Sequence, residues 1–200
     1  MENIIINKGF VIRGYYVPPF NLVPGKLIRI YIPNFSLLGE TLGYDLALEI
    51  IRLFSKSQEW EGIKILLPIP YAKNYNQNFW ERNIIHQTAG RYLVKKFGAT
   101  YNQVNDILDK FEVRTNECLS RMKFSDRKLL TIEGLFIRNR LLTFDYYGVS
   151  PVGVDKINYV IKQALDKGKC AIGLDNLQFI EEVEPYDNIE RIIVSQLMRV

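Results

Sequence analysis

Four short apolar runs constrain the fold of this chain more than any other feature. They lie at residues 27–32 (LIRIYI), 63–67 (IKILL), 141–144 (LLTF) and 170–174 (CAIGL). Each is bounded by Gly, Pro, Asn or Asp and is shorter than the roughly ten residues a helix needs, so each is expected as a strand. Helix-patterned segments separate them. Leu42, Leu46, Ile50 and Leu53 repeat at helical spacing, as do Val154, Ile157, Val160, Ile161 and Leu165. Strands alternating with helices predict an α/β fold on a mostly parallel sheet, because parallel neighbours need a crossover long enough to hold a helix.

Between about residues 71 and 130 the pattern changes to helices only, expected at 79–97, with Gly98 as its C-cap, and at 102–111. A further helix, 128–137, leads into the run at 141. Residues 3–16 predict two short strands about a turn at Asn7 to Gly9, residues 179–183 a helical turn, and residues 189–194 a last strand or helix.

Two hundred residues fit one domain, with two as an upper bound. The net charge of +4 is spread without a compact Lys/Arg stripe, which disfavours nucleic acid as a partner. Cys118 and Cys170 lack a partner motif and are expected as free buried thiols in a reducing compartment. The N-terminus lacks the basic-then-apolar pattern of a signal peptide, and no apolar run approaches the ~20 residues of a membrane helix. A cytoplasmic chain is expected, at most docked on the inner face of a membrane.

The run at 141–144 ends at Asp145. In an open α/β sheet, ligands sit outside the C-terminal ends of the strands, and in P-loop ATPases an aspartate delivered there holds the Mg²⁺ of the nucleotide. A turn aspartate closing a core strand is the competing reading. The order strand 27–32, loop, helix 42–54 is the one P-loop proteins use to seat phosphates at a helix N-terminus.

With these elements in place, the chain resembles the ATP-binding cassette (ABC) ATPase family over most of its length. NLVPGKLIRIYIPN resembles the strand entering the phosphate loop, with Pro24, Gly25 and Lys26 at the family's Pro-Gly-Glu turn. Pro33 and Asn34 resemble the opening of the motif G-P-N-G-x-G-K-S/T. FWERNIIHQTAGRYLVKKFG resembles the first helix of the helical subdomain, and SDRKLLTIEGLFIRNRLLTFD the helix and strand between the signature motif and the metal-binding aspartate. PVGVDKINYVIKQALDKGKCAIGLDNLQFIEEV resembles the last α/β unit.

The resemblance implies a single P-loop NTPase-like domain spanning residues 1–200, with a β-rich N-terminal lobe and a helical insertion. Its ligands would be ATP and Mg²⁺. Tyr15 or Tyr16, the latter preferred, would stack on adenine, Pro33, Asn34 and Ser36 would form the phosphate loop, and Asp145 would hold the metal. A docking surface is implied at about residues 68–90, with Tyr71, Tyr75, Phe79 and Trp80 as aromatic anchors. The implied partners are an ABC ATPase subunit, a membrane permease or a second copy of the chain.

The departures from the family pattern are extensive. Phe35 and Leu37 stand where glycines let the backbone wrap phosphates, and Leu38, Gly39 and Glu40 replace the Lys-Ser/Thr pair. Glu40 would repel a triphosphate. In place of L-S-G-G-Q, Leu119 and Ser120 are followed by Arg121 and Met122. Tyr146 replaces the water-activating glutamate, and a phenol of pKa ~10 is a poor base near neutral pH. Tyr147 replaces the following proline. Residues 173–176, GLDN, lack the expected histidine, and the single histidine, His86, falls inside the expected insertion as a half-exposed helix residue. Pro68, Ile69 and Pro70 stand where a glutamine is expected, and Gln77 lies too late to replace it. The expectation is a pseudo-ATPase, with Asp145 a relic and ATP and Mg²⁺ bound weakly or not at all, that works by binding protein partners. The alternatives are an ATP-binding subunit that completes a partner's site in trans, and a stand-alone adaptor or inhibitor.

Overall fold

The structure is a computed structural model describing residues 4–36, 39, 41–75, 86–182 and 188–197. In chain order the strands are β1 (Ile5–Asn7), β2 (Phe10–Ile12), β3 (Tyr15–Val17), β4 (Leu27–Ile32), β5 (Gln58–Trp60), β6 (Ile63–Ile65), β7 (Leu141–Asp145), β8 (Cys170–Asn176), β9 (Ile189–Ile193) and β10 (Ser195–Gln196). The described helices are α1 (Gly43–Phe54), α2 (Ala89–Phe97), α3 (Tyr101–Lys110), α4 (Phe124–Arg138) and α5 (Pro151–Asp166), with a 3-10 helix at Leu177–Glu182. The chain divides into two compact units. One comprises Met1–Tyr71, Arg140–Tyr147 and Ile161–Val200, the other Ala72–Asn139 and Gly148–Val160.

The first unit is built on an all-parallel sheet of order β7-β8-β4-β9. Its register sets Ile28 beside Ile172, and Ile30 beside Leu174 and Ile192. Every residue of β4, β7 and β8 is buried. A parallel strand covered on both faces has no solvent side, which is why these runs are continuously apolar rather than alternating. The unit's core adds one face of α1, where Leu46, Ala47, Ile50 and Phe54 are fully buried. The Phe54 ring meets Phe10 and Phe20 edge-on at 6.3 and 6.4 Å.

The expected parallel sheet is right, but one of its strands is not the expected one. Residues 63–65 form β6, which lies antiparallel between β1 and β5. Its local partner is a hairpin neighbour: Trp60 pairs with Ile63 across a tight Glu61-Gly62 turn. Leu66 and Leu67 fall outside the strand and are exposed. The fourth parallel strand is β9, in the segment whose type the sequence leaves open. It is an edge strand with Arg191 and Ile193 exposed, so its pattern is too mixed to mark it. Beside β7, on the side away from β8, the Thr143 N–H donates to the Pro70 carbonyl at 2.8 Å, and Tyr71 forms a parallel bridge with Thr143.

The N-terminal turn also differs. Asn7 to Gly9 does not close a hairpin, because β1 pairs with β6. The hairpin is β2–β3, around Arg13 and Gly14, both at positive φ (52° and 78°) as the favoured two-residue hairpin turns require.

The second unit has its own core of Tyr92, Leu93, Phe97, Val104, Leu108, Leu119 and Leu130. The helix expected over 79–97 starts at Ala89 within the described residues. Thr88 is extended and its hydroxyl accepts the Arg91 N–H, which is an N-cap and so a start. His86 is therefore exposed coil before the helix rather than a helix residue. Gly98 closes α2 as the expected left-handed C-cap, and α3 opens on a Thr100/Gln103 capping box. Helix α4 starts earlier than expected, at Phe124. Cys170 is buried as expected, whereas Cys118 is only half-buried, and both are free.

Candidate functional site

The candidate site lies in the first unit, at the C-terminal ends of β4, β7 and β8 and the head of α1. β4 stops at Pro33, which has no N–H to donate to a neighbour. Asn34 then turns the chain back. Its carbonyl accepts the N–H groups of Leu42 (2.8 Å) and Gly43 (3.3 Å) at the start of α1. Leu42, the N-cap, supplies no side-chain bond. Helix-head N–H groups of this kind are the ones that otherwise hold a bound anion, and here a carbonyl of the same loop takes two of them. The Asn34 side chain binds the end of β8: its Oδ1 accepts from Asn176 Nδ2, and its Nδ2 donates to Gln178 Oε1 at 3.1 Å. Gly43 permits this close approach, since a Cβ there would stand 2.9 Å from Asn34 Oδ1 and 3.2 Å from the Tyr147 hydroxyl.

Asp145 ends β7 with a side chain withdrawn from solvent. Its Oδ2 accepts from the Tyr71 hydroxyl at 2.6 Å, and its Oδ1 from the Tyr147 N–H at 3.0 Å. Burial and the adjoining Asp145 charge hold the Tyr71 phenol far above the ordinary tyrosine range, so the proton stays on the phenol. Tyr147 turns to the α1 side. Its ring meets Tyr44 at 5.5 Å with a 57° tilt, and its hydroxyl donates to the Asp175 carbonyl at 3.5 Å. Burial, then Asp175 and Asp145, raise this phenol as well.

Neighbouring residues of an extended chain point to opposite sides, and Tyr146 accordingly turns the other way, into the sheet. It is buried beneath the Arg29 guanidinium, whose carbon stands 4.1 Å from the ring centroid. Arg29 is itself wholly buried in β4 and bonded through Nη2 (2.5 Å) and Nε (3.1 Å) to Asp175 Oδ2 on β8. Gly173, opposite Arg29 in the register, leaves room for the Phe144 and Tyr146 rings. Burial raises the Tyr146 phenol despite the Arg29 charge. A phenol so buried and so weakly acidic is no general base.

At the head of α1 lies a cavity of about 320 Å³, lined among others by Asn34, Phe35, Thr41, Tyr44, Asp45 and Tyr147. The sequence-derived site residues are distributed as follows. Pro33, Asn34 and Ser36 form the loop beside this cavity, the Ser36 carbonyl accepting the Gly39 N–H at 3.0 Å. Asp145 is brought to Tyr71, which the sequence reading places on a docking surface instead. Tyr16 sits in β3 with its ring against Gly9, and is not among the cavity-lining residues. Tyr75 belongs to the second unit, where it is buried with its ring 5.1 Å from that of Tyr92, so it offers a partner little surface. Phe79 and Trp80 lie outside the described residues. Among the described residues no cluster of three or more His, Cys, Asp or Glu side chains forms a metal site.

No family model matches the sequence, and no curated protein sequence matches it. Solved structures do. The fold is that of an ATP-binding cassette. The cassette-like chain is similar to cbiO1 from Clostridium perfringens, part of the ABC transporter complex cbiONQ, with TM-score 0.57 and 10% identity over 98% of this chain and 88% of that one. It is similar to an ATP-binding subunit of an ABC transporter, with TM-score 0.60 and 12% identity over 97% and 87%. A nucleotide-free cassette from an ABC transporter matches with TM-score 0.61 and 11% identity over 95% and 87%. Identities this low establish a shared fold and nothing finer. No described helix of this cassette-like chain is long and apolar enough to cross a membrane.

Proposed function

We propose that this chain is a catalytically degenerate cassette subunit that does not hydrolyse ATP and acts by binding another protein. The observation that carries the reading is the engagement of Asp145 in the chain's own hydrogen bonds, one oxygen accepting from the Tyr71 hydroxyl and the other from the Tyr147 N–H, beside a loop with no phosphate-binding cation. A magnesium triphosphate calls for a lysine, free helix-head N–H groups and an available carboxylate. Residues 33–45 contain no lysine or arginine, and the Asn34 carbonyl takes two helix-head N–H groups. The groups present do not fit Mg²⁺·ATP.

The partner that suits this reading is an intact ABC ATPase subunit, a membrane permease or a second copy of the chain. Support comes from the fold neighbours, one of which is described as part of an ABC transporter complex. Recovering the chain from its native cells and identifying what accompanies it tests the partner. Assay of the purified chain tests the chemistry: phosphate release at background is expected, and steady turnover abolished by Asp145→Ala would overturn the reading.

A further inference from the structure

The cavity at the head of α1 has a chemical character opposite to that of a phosphate site. Three aromatic residues line it: Phe35, 59% exposed, Tyr44, 46% exposed, and Tyr147. Tyr44 and Tyr147 meet at 57° and form a corner rather than a stack. Asp45, in the first turn of α1, adds an exposed carboxylate to the lining. The stretch of residues 33–45 carries no basic side chain. The positive pole that a helix head ordinarily offers is blunted, because the Asn34 carbonyl accepts from both Leu42 and Gly43. Burial first, and then the Asp145 and Asp45 charges, raise the Tyr44 phenol, so its hydroxyl stays protonated beside the cavity.

Aromatic faces carry negative charge density, and a corner of such faces with a carboxylate beside it attracts cations. A bare metal ion needs a cluster of hard ligands, and none occurs among the described residues. A primary ammonium is strongly hydrated and loses much on leaving water, whereas alkyl groups on the nitrogen soften that loss and supply apolar surface to the rings. A cavity of about 320 Å³ stands at the small end of ligand pockets, of a size for a compact head group rather than a nucleotide. We propose that the Tyr44–Tyr147 corner, with Phe35 and Asp45 on the same cavity, binds a small quaternary or alkylated ammonium ion, so that the position where this fold seats phosphates takes a cation. The inference rests on the reading that the loop no longer seats a triphosphate.

Titration calorimetry of the intact chain tests it with choline, with the neutral isostere 3,3-dimethylbutan-1-ol, and with Mg²⁺·ATP. Saturable binding of choline is expected, with the isostere at least roughly fivefold weaker, since only the charge differs. Asp45→Asn and Tyr44→Leu, both at exposed positions, are each expected to weaken choline by roughly three- to tenfold while leaving the thermal midpoint in place. Equal binding of choline and its isostere, or no effect of either substitution, overturns the cation site. Absence of saturable choline binding to the unaltered chain does the same and leaves the pseudo-ATPase reading standing if ATP also fails to bind. Tight Mg²⁺·ATP binding overturns the cation site, and steady turnover alongside it overturns the pseudo-ATPase reading as well.

Discussion

Arg29 and Asp175 are the pair whose removal should cost the fold most for a single change of charge. Both are buried, so truncating one strands the other's charge in a medium that cannot solvate it. Arg29→Met and Asp175→Leu are each expected to lower unfolding free energy by about 3–5 kcal/mol, and the double variant to recover most of that loss. Urea denaturation of the three variants checks this. The phenol on Asp145 is a smaller matter: Tyr71→Phe leaves a buried oxygen short of a donor, for an expected loss of about 1–3 kcal/mol by the same measurement. These pairings show what a sequence can and cannot disclose. Arg29 is conspicuous in LIRIYI, because a lone charge in a strand buried on both faces needs a carboxylate. Nothing local names Asp175, which lies 146 positions away. Tyr71 and Asp145 are 74 apart, and each looks ordinary where it stands. Pro33 and Asn34 are identified correctly as the turn after the strand, but the double acceptance by the Asn34 carbonyl follows from backbone geometry that no residue type announces.

At the scale of elements, α4 carries a glycine that helix propensity alone would replace. Gly134 lies mid-helix, where alanine is favoured by about 0.5–1 kcal/mol. A Cβ there would overlap the Phe97 ring of α2, which occupies the space the glycine leaves. Overpacking of a core typically costs about 1–3 kcal/mol, so Gly134→Ala is expected to destabilise on balance, and Gly134→Ala with Phe97→Leu to recover part of the loss. Thermal unfolding of the two variants separates propensity from packing. Strong periodicity made the helices legible, α1 and α5 most of all. The short strands were harder. β5 reads Gln-Glu-Trp, with no apolar alternation to mark it, and it pairs with β6 through a two-residue turn. β9 mixes Glu190 and Arg191 with isoleucines because it is an edge.

For the whole molecule, one buried and two half-buried tyrosines tie stability to pH. Tyr71, Tyr146 and Tyr147 hold their protons more tightly in the folded chain than the ordinary value of about 10. A group whose folded pKa is raised contributes fully below the unfolded pKa and loses that contribution as pH climbs above it. The urea midpoint should therefore hold flat below about pH 10 and fall at higher pH, with the phenolate signals of these three residues appearing at unfolding rather than before it. Ionisation of these phenols in the folded state near pH 10 would contradict this.

The order β7-β8-β4-β9 also sets a timetable for a chain made from its N-terminus. Both neighbours of β4 come from beyond residue 169, so LIRIYI is synthesised long before it has anything to pair with. At about 5–20 residues per second, the 146 positions between Arg29 and Asp175 take roughly 7–30 seconds to translate. Throughout that interval an apolar strand with two open edges waits on the ribosome. The nascent chain is thus expected to engage a holding chaperone early, and slowing translation between residues 33 and 170 should lower the soluble yield without altering the finished protein.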